Sequence, residues 1–392
     1  MSNIFDLIIL GGGCAGLSLA TRLASSSPHG LKTVVVEGRT CYTNDRTWCF
    51  WMADSSATAH PVEHKWRSMR LTSGDRTVLV DCLSTPYQML PAERFYSAAL
   101  LAISKAKNIS LKLDTAVQAE PRKIDGHWEV ETNAGVFSGR MVVDTRPQQL
   151  PARDGALLWQ SFYGKEIECE TMVFDPSRMD LMNFLPPDQT CIPFVYVLPT
   201  STTRALVEVT VFGADPLQPE DLASLLEAAI ARRAGDSPFR VLRSEHGILP
   251  MGLRTFPENT DRSYVRAGVM AGGARPSTGF AFQRIQRWAD ACAKSILAGF
   301  LPIRHAPDPA MLQIMDHLFL NVLRANPEKA GEIFCSLFGS VKTKRLIRFL
   351  NGEGAWLDYV AVISALPFFP FLRLLSKSRM GRGSHQAAGQ NA

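Results

Sequence analysis

Two arrangements in the chain carry residue types and spacings that could do chemistry. The first is "ALVEVTVF", residues 205–212, where one carboxylate sits in a mostly apolar run. Strand alternation puts Ala205, Val207, Val209 and Val211 on one face, and Leu206, Glu208, Thr210 and Phe212 on the other. Two environments are open for Glu208. An edge strand with its second face in water would leave an ordinary ionised acid, with a pKa of about 4.3. An apolar pocket would penalise the charged form, raise the pKa and make the residue a proton donor at neutral pH.

The second arrangement is "DLIILGGGCAGLSLATRLA" near the N-terminus, a strand, a glycine-rich turn and the start of a helix. Gly11, Gly13 and Gly16 fit G-x-G-x-x-G: the first permits the tight turn, the second lets backbone approach a pyrophosphate, and the third allows close helix–strand packing. The helix N-terminus adds free N–H groups and a partial positive charge. A second strand, "KTVVVEG", ends in Glu37, about 20 residues on, where an acid can accept both ribose hydroxyls of an adenosine. A dinucleotide site follows. Its position at the N-terminus favours FAD, as does a late glycine-rich return, "SYVRAGVMAGGARPSTGFAF" at 263–282. That return offers Gly272, Gly273, Pro276, Thr278 and Gly279 to the flavin, with Gly272-Gly273-Ala274 where many flavoprotein oxidoreductases carry Gly-Asp-Ala. Arg94, opening the helix "PAERFYSAALLAI", is expected either to reach the cofactor or to stay solvated. Asp144 and Arg146, at the end of "GRMVVDTRP", are expected near the nucleotide or in a structural turn.

The elements that must position these residues read as an α/β protein. A Rossmann-type FAD-binding domain is expected from 1–65, 88–150 and 245–300, with an inserted antiparallel-sheet substrate domain from 66–87 and 151–244. A helical C-terminal region, 301–375, and a disordered tail, 376–392, complete the chain. The composition, 46% hydrophobic and 20% charged, is that of a globular protein. A net charge of +5 without a basic, aromatic-studded stripe gives no sign of nucleic-acid binding. No apolar run reaches the roughly 18 residues of a spanning helix, and the N-terminus reads as a first strand, not a signal peptide. The eight cysteines are scattered, without a C-x-x-C pair, which fits reduced thiols in a cytoplasmic setting. Neither they nor the histidines have metal-ligand spacing.

Four motifs together resemble the bacterial lycopene cyclases, FAD-dependent carotenoid enzymes related to those of plants. They are the N-terminal fingerprint; "NDRTWCFW" at 44–51, similar to the family's Asn-x-Thr-Trp segment; "TRALVEVTVF", similar to its Arg-x-Leu-(Ile/Leu)-Glu-(Asp/Glu)-Thr strand; and "RPSTGF", similar to its His-Pro-(Ser/Thr/Ala)-Thr-Gly-Tyr. With lesser echoes, the resemblance runs to about residue 375. It implies that Glu208 is the essential acid and that the reaction is a cyclisation without net oxidation. The acyclic ψ-ends of lycopene would become β-ionone rings, with reduced FAD required and NAD(P)H as the electron source. Trp48, Phe174, Tyr196 and Phe280 would offer π-faces to a carbocation.

Three positions depart from the family's pattern: Val209 replaces a second acid, Arg275 stands where His is common, and Phe280 replaces Tyr. A carotenoid substrate implies contact with a membrane. Phe368, Phe369, Phe371 and Leu372, followed by Arg373, Lys377, Arg379 and Arg382, suit an anionic surface. Peripheral attachment to the inner face of the cell membrane is therefore expected. The competing readings are a true FAD oxidoreductase, an aromatic hydroxylase or a prenyl reductase, built on the same body, and a cyclase of another polyprenyl substrate.

Overall fold

The computed structural model describes residues 4–26, 30–54, 60–147, 155–186, 188–253 and 260–367. The fold is mixed α/β, with a nucleotide-type sheet, a larger substrate sheet and a helical C-terminal region. In the first sheet Phe5–Leu10 is central, paired in parallel with Thr33–Val36 and Gly135–Asp144; Ile109–Lys112 extends one side and Tyr264–Arg266 the other. The start of Gly135–Asp144 turns antiparallel to His127–Thr132 and then Arg122–Ile124. Leu7, Ile8, Ile9 and Leu10 are all fully buried. Helices Cys14–Ser26, Ala92–Ser104 and Phe282–Leu297 cover one face, and the His127–Thr132 meander contributes Trp128 and Val130 to the other. Strands covered on both sides read as continuous apolar runs, which is why "LIIL" shows no alternation.

The substrate sheet has seven strands, in the order Phe239–Met251, Leu158–Cys169, Arg204–Gly213, Cys191–Pro199, Arg178–Phe184, Ser68–Ser73 and Arg76–Asp81. All pairs are antiparallel except Arg178–Phe184 with Ser68–Ser73. The antiparallel sheet expected from the sequence is present, with one parallel seam. There the chain's two separate excursions into the sheet meet, and no hairpin forces them to run in opposite directions. The boundary expected at 245 falls inside Phe239–Met251, whose entire length belongs to this sheet.

Arg204–Gly213 lies inside the sheet, so the edge-strand environment for Glu208 does not occur. Ala205, Val207, Val209 and Val211 are covered by helix Pro219–Ala234 through Leu222, Leu226 and Ile230. That helix is well started: Pro219 opens it, Glu220 and Asp221 lie in its first turn, and the Asp221 carboxylate accepts from the Gln218 backbone N–H at 2.8 Å. The opposite face of the sheet meets Ala310–Ala325, Ala330–Ser340, Thr343–Leu350 and Trp356–Ala365, which close the largest apolar core. A small third sheet of Thr47–Trp51, Tyr87–Pro91 and His64–Trp66 lies alongside. Among the described residues no helix is long and apolar enough to cross a membrane. The aromatic and basic segment from Phe368 to Arg382 and the tail 376–392 fall outside the described residues.

Candidate active site

One cavity of about 1250 Å³ runs from the glycine turn, past Trp48 and Glu208, to the C-terminal helices. At its nucleotide end Gly11 adopts φ +90°, and a Cβ there would meet Thr145 Oγ1 at 3.0 Å. A Cβ on Gly16 would stand 1.9 Å from the Gly11 carbonyl oxygen, so only glycine lets the helix approach the strand this closely. Gly13 differs: a Cβ there would meet nothing within 4 Å, because its backbone borders the open cavity. That is the space a pyrophosphate needs. Glu37 lines the same end, accepting from the Gly12 N–H at 2.6 Å and the Arg39 N–H at 2.9 Å. Burial alone would raise its pKa, but the hydrogen bonds and charge of Arg39 hold the carboxyl below its ordinary range. An open glycine cradle beside a buried, ionised carboxylate fits a dinucleotide such as FAD.

Midway along the cavity stand Trp48, Thr278, Gly279 and Phe280. Trp48 packs edge-on to Phe95, with centroids 5.0 Å apart, and Phe280 edge-on to Trp51 at 5.1 Å. Tyr196 lines the wall beside the acid strand, its hydroxyl donating to that of Tyr87 at 2.9 Å.

Glu208 retains 9% of its exposed surface, facing a cavity walled here by Leu181, Phe194, Leu206 and Phe212. Burial, followed by the nearby Glu245 carboxylate, pushes its pKa up to about 8; a hydrogen bond from Thr210 Oγ1 at 2.8 Å and the charge of Arg243 oppose the rise. The acid is therefore largely protonated at neutral pH.

The structure brings Gly11, Gly13, Glu37, Trp48, Arg146, Tyr196, Glu208, Thr278, Gly279 and Phe280 to one cavity, and leaves the other expected residues off its walls. Gly16 works through packing, as above. Gly272 and Gly273 shape the late turn: Gly272 is left-handed at φ +89°, and a Cβ on Gly273 would sit 2.5 Å from the Gly268 carbonyl oxygen. Pro276 does not line the cavity either. Asp144 lies beneath the turn, accepting from Arg146 Nη2 and the Tyr264 hydroxyl, each at 2.7 Å. Arg94 does not reach the cavity: it donates to the Val62 carbonyl at 3.1 Å, and its side chain is 48% exposed. Phe174 packs on the opposite side of the substrate sheet, with the core under Pro219–Ala234. Asp175, beside it, sits in an exposed turn bonded to Ser177.

Sequence reasoning missed two charged features. Arg39 and Arg46 line the nucleotide end. A relay, Arg204–Glu166–Arg243–Glu245, starts at the part-exposed Arg204 and ends in the cavity, with Glu166 accepting from both arginines at 2.6 Å. The alternating charges of "RVLRSEHG" are its one sequence signal. Arg275 is not a free cation at the site, because it is paired with Asp316 of the C-terminal helices at 2.8 Å. Among the described residues no cluster of His, Cys, Asp and Glu could hold a metal ion.

The comparisons with known proteins agree with this geometry. The family model described as lycopene cyclase protein matches residues 6–376. The lycopene beta-cyclase of Pseudescherichia vulneris is 26% identical over 382 residues, covering 93% of this chain and 95% of the relative. That of Pantoea ananas is 24% identical, covering 96% and 98%. Among solved structures, a geranylgeranyl bacteriochlorophyll reductase-like protein from Thermoplasma acidophilum superposes with a TM-score of 0.58 at 12% identity, covering 96% of this chain and all of that one. A p-nitrophenol 4-monooxygenase from Pseudomonas putida gives 0.58 at 17% identity, covering 95% and 99%. A halogenase variant in complex with FAD gives 0.53 at 13% identity, covering 89% and 78%. At these identities the structures show a shared flavoprotein fold and nothing about the reaction. The chain belongs to the lycopene cyclase family.

Proposed function

We propose that the protein is a lycopene β-cyclase, converting the acyclic ends of lycopene into β-ionone rings without net oxidation. The observation that carries this reading is Glu208, a carboxylic acid held protonated on the wall of an apolar cavity continuous with a dinucleotide turn. Protonating an alkene requires an acid that is desolvated yet still carries its proton at neutral pH, and burial meets both needs.

Glu208 gives its proton to a terminal double bond, and the electrons of a second double bond close the six-membered ring, leaving a ring cation. A ring proton returns to the Glu208 carboxylate and leaves a new double bond, so one proton enters, one leaves and no atoms are lost. Trp48, Tyr196 and Phe280 line the cavity and offer π-faces to the cation. Gly11, Gly13, Glu37, Thr278 and Gly279 are the residues that would hold FAD. Reduced FAD, when bound, supplies negative charge that stabilises the cation, with NAD(P)H as the source of electrons.

Lycopene dissolves in bilayers, and we propose peripheral attachment to the inner face of the cell membrane. In support, Met311, Ile314 and Ile363 line the cavity and are themselves exposed, Ile314 by 63% and Ile363 by 54%. Trp356, Leu357 and Val360 extend this apolar surface along helix Trp356–Ala365. The aromatic and basic residues from Phe368 onward follow closely in sequence.

The test is anaerobic turnover with lycopene in liposomes and chemically reduced FAD. Formation of γ- and β-carotene without oxygen and without stoichiometric use of NADPH supports the cyclase. A strict need for either contradicts it and points to an oxidoreductase.

A further inference from the structure

The strand register places Gly164 opposite Glu208 on one side and opposite Glu245 on the other. The three residues thus form one rung of the substrate sheet, and Tyr196 continues it beyond Glu208. With strands about 4.8 Å apart, the two glutamate backbones stand roughly 10 Å from each other, and both side chains line the same cavity. Gly164 itself puts no side chain between them, and a Leu206 methyl lies close over it, 3.3 Å from where a Cβ would stand. A Cβ on Gly164 would lie 3.2 Å from Glu208 Cβ and 3.3 Å from its Cγ, so the Glu208 side chain lies close over the glycine.

Glu245 is held firmly. Thr47 Oγ1 donates to its Oε2 at 2.7 Å, Arg243 pairs with it, and Arg243 is anchored in turn by Glu166. Burial pushes the Glu245 carboxyl up, and the Arg243 guanidinium and the Thr47 hydroxyl oppose that rise. We propose that Glu245, held in its place by Arg243 and Thr47, is the positioning residue of the site, a second carboxylate that faces Glu208 across Gly164 and opposes its ionisation. In this chain Glu245 supplies a second carboxylate near the acid, although Val209, next to Glu208 in sequence, is turned away under helix Pro219–Ala234.

The other groups around Glu208 do not take this role. Tyr196, Tyr87 and Cys49 are all raised above their ordinary range by burial and stay neutral. Thr210 carries no charge. Arg243 is cationic and favours ionisation of Glu208, a smaller influence than that of Glu245. His246 and Asp316 also line the cavity, and Asp316 is paired with Arg275.

This inference rests on Glu208 being the acid of the site, and its test does not depend on turnover. The carbonyl stretch of protonated Glu208, identified by its loss in Glu208→Gln, is followed against pH by difference infrared spectroscopy of the FAD-loaded protein. In Glu245→Gln the pH at which that band disappears should fall by about one unit, as expected for removing one charge at this separation. Glu245→Asp should restore most of the shift. Glu245→Asn, which removes the same charge with a shorter amide, provides a second variant and should lower the same pH. An unmoved band in folded Glu245→Gln and Glu245→Asn overturns the inference while leaving the cyclase assignment intact. A shifted band alongside undiminished cyclisation by Glu208→Gln keeps the electrostatic coupling and removes the catalytic reading.

Discussion

Arg275 grips Asp316 with two donors, Nη2 to Oδ1 at 2.8 Å and Nε to Oδ2 at 3.2 Å, and neither side chain reaches solvent. Ser277 adds a third hydrogen bond to the same carboxylate, and the Arg275 guanidinium lies 4.2 Å from the centre of the Phe349 ring. The pair ties the late turn to the C-terminal helices. Removing one partner leaves a buried charge, at a cost of about 3–5 kcal/mol. Asp316→Asn should therefore lower the free energy of unfolding by about that amount in denaturant titrations. Replacing both residues with apolar ones of similar volume should recover most of the loss.

Glu208 makes stability depend on pH. Its folded pKa, about 8, lies above the ordinary 4.5, so from about pH 4.5 to 8 the unfolded chain releases a proton that the folded chain keeps. The stabilisation from the protonated acid is full below about pH 4.5 and is lost as pH rises through 8, a change on the order of a few kcal/mol. Relative to wild type, Glu208→Gln should thus gain stability steadily between pH 5 and 8. A difference between the two proteins that stays flat with pH would contradict the buried-acid environment.

The glycine turn separates two failures that its sequence pattern does not. Gly13→Val occupies open space at the cavity wall, so the protein should fold but carry little or no flavin by absorbance. Gly16→Val drives a side chain into the Gly11 carbonyl, so the fold itself should suffer, with a lower melting temperature even without flavin. Flavin loading of Gly13→Val equal to wild type would remove the pyrophosphate assignment.

What was legible in the sequence was local. Alternation in "ALVEVTVF" separates Glu208 from Val209, and glycine spacing with Glu37 identifies the turn, because both signals lie within one or two elements. Glu245 was not legible. Its place beside Glu208 depends on the pairing of Phe239–Met251 with Leu158–Cys169, strands far apart in sequence. Phe174 lies in the connection between Leu158–Cys169 and Arg178–Phe184, where alternation does not assign a side. Arg94 is drawn outward by Val62 and Glu63, which a helix-start arginine does not announce. The fixed cation at Arg275 could be read, but its neutralising partner lies on a helix whose docking only the tertiary structure supplies.

The apolar surface at the mouth of the cavity should be needed for delivery rather than for chemistry. Replacing Trp356, Leu357 and Ile363 together with Ser should reduce pelleting with anionic liposomes and lower activity on liposomal lycopene more than in detergent. Truncation from Leu366 should act in the same direction. If both variants pellet as wild type does, the attachment surface lies elsewhere.

Ring closure depends on the proton of Glu208. Glu208→Gln keeps the shape of the side chain but has no proton to give, and acid–base groups of this kind typically contribute about 10²–10⁴-fold. The decisive measurement is the rate of β-ring formation from lycopene by FAD-loaded Glu208→Gln beside wild type. A drop of at least about a hundredfold with normal flavin content and undiminished stability is the predicted result. Near-normal β-carotene formation by the loaded variant would contradict the account.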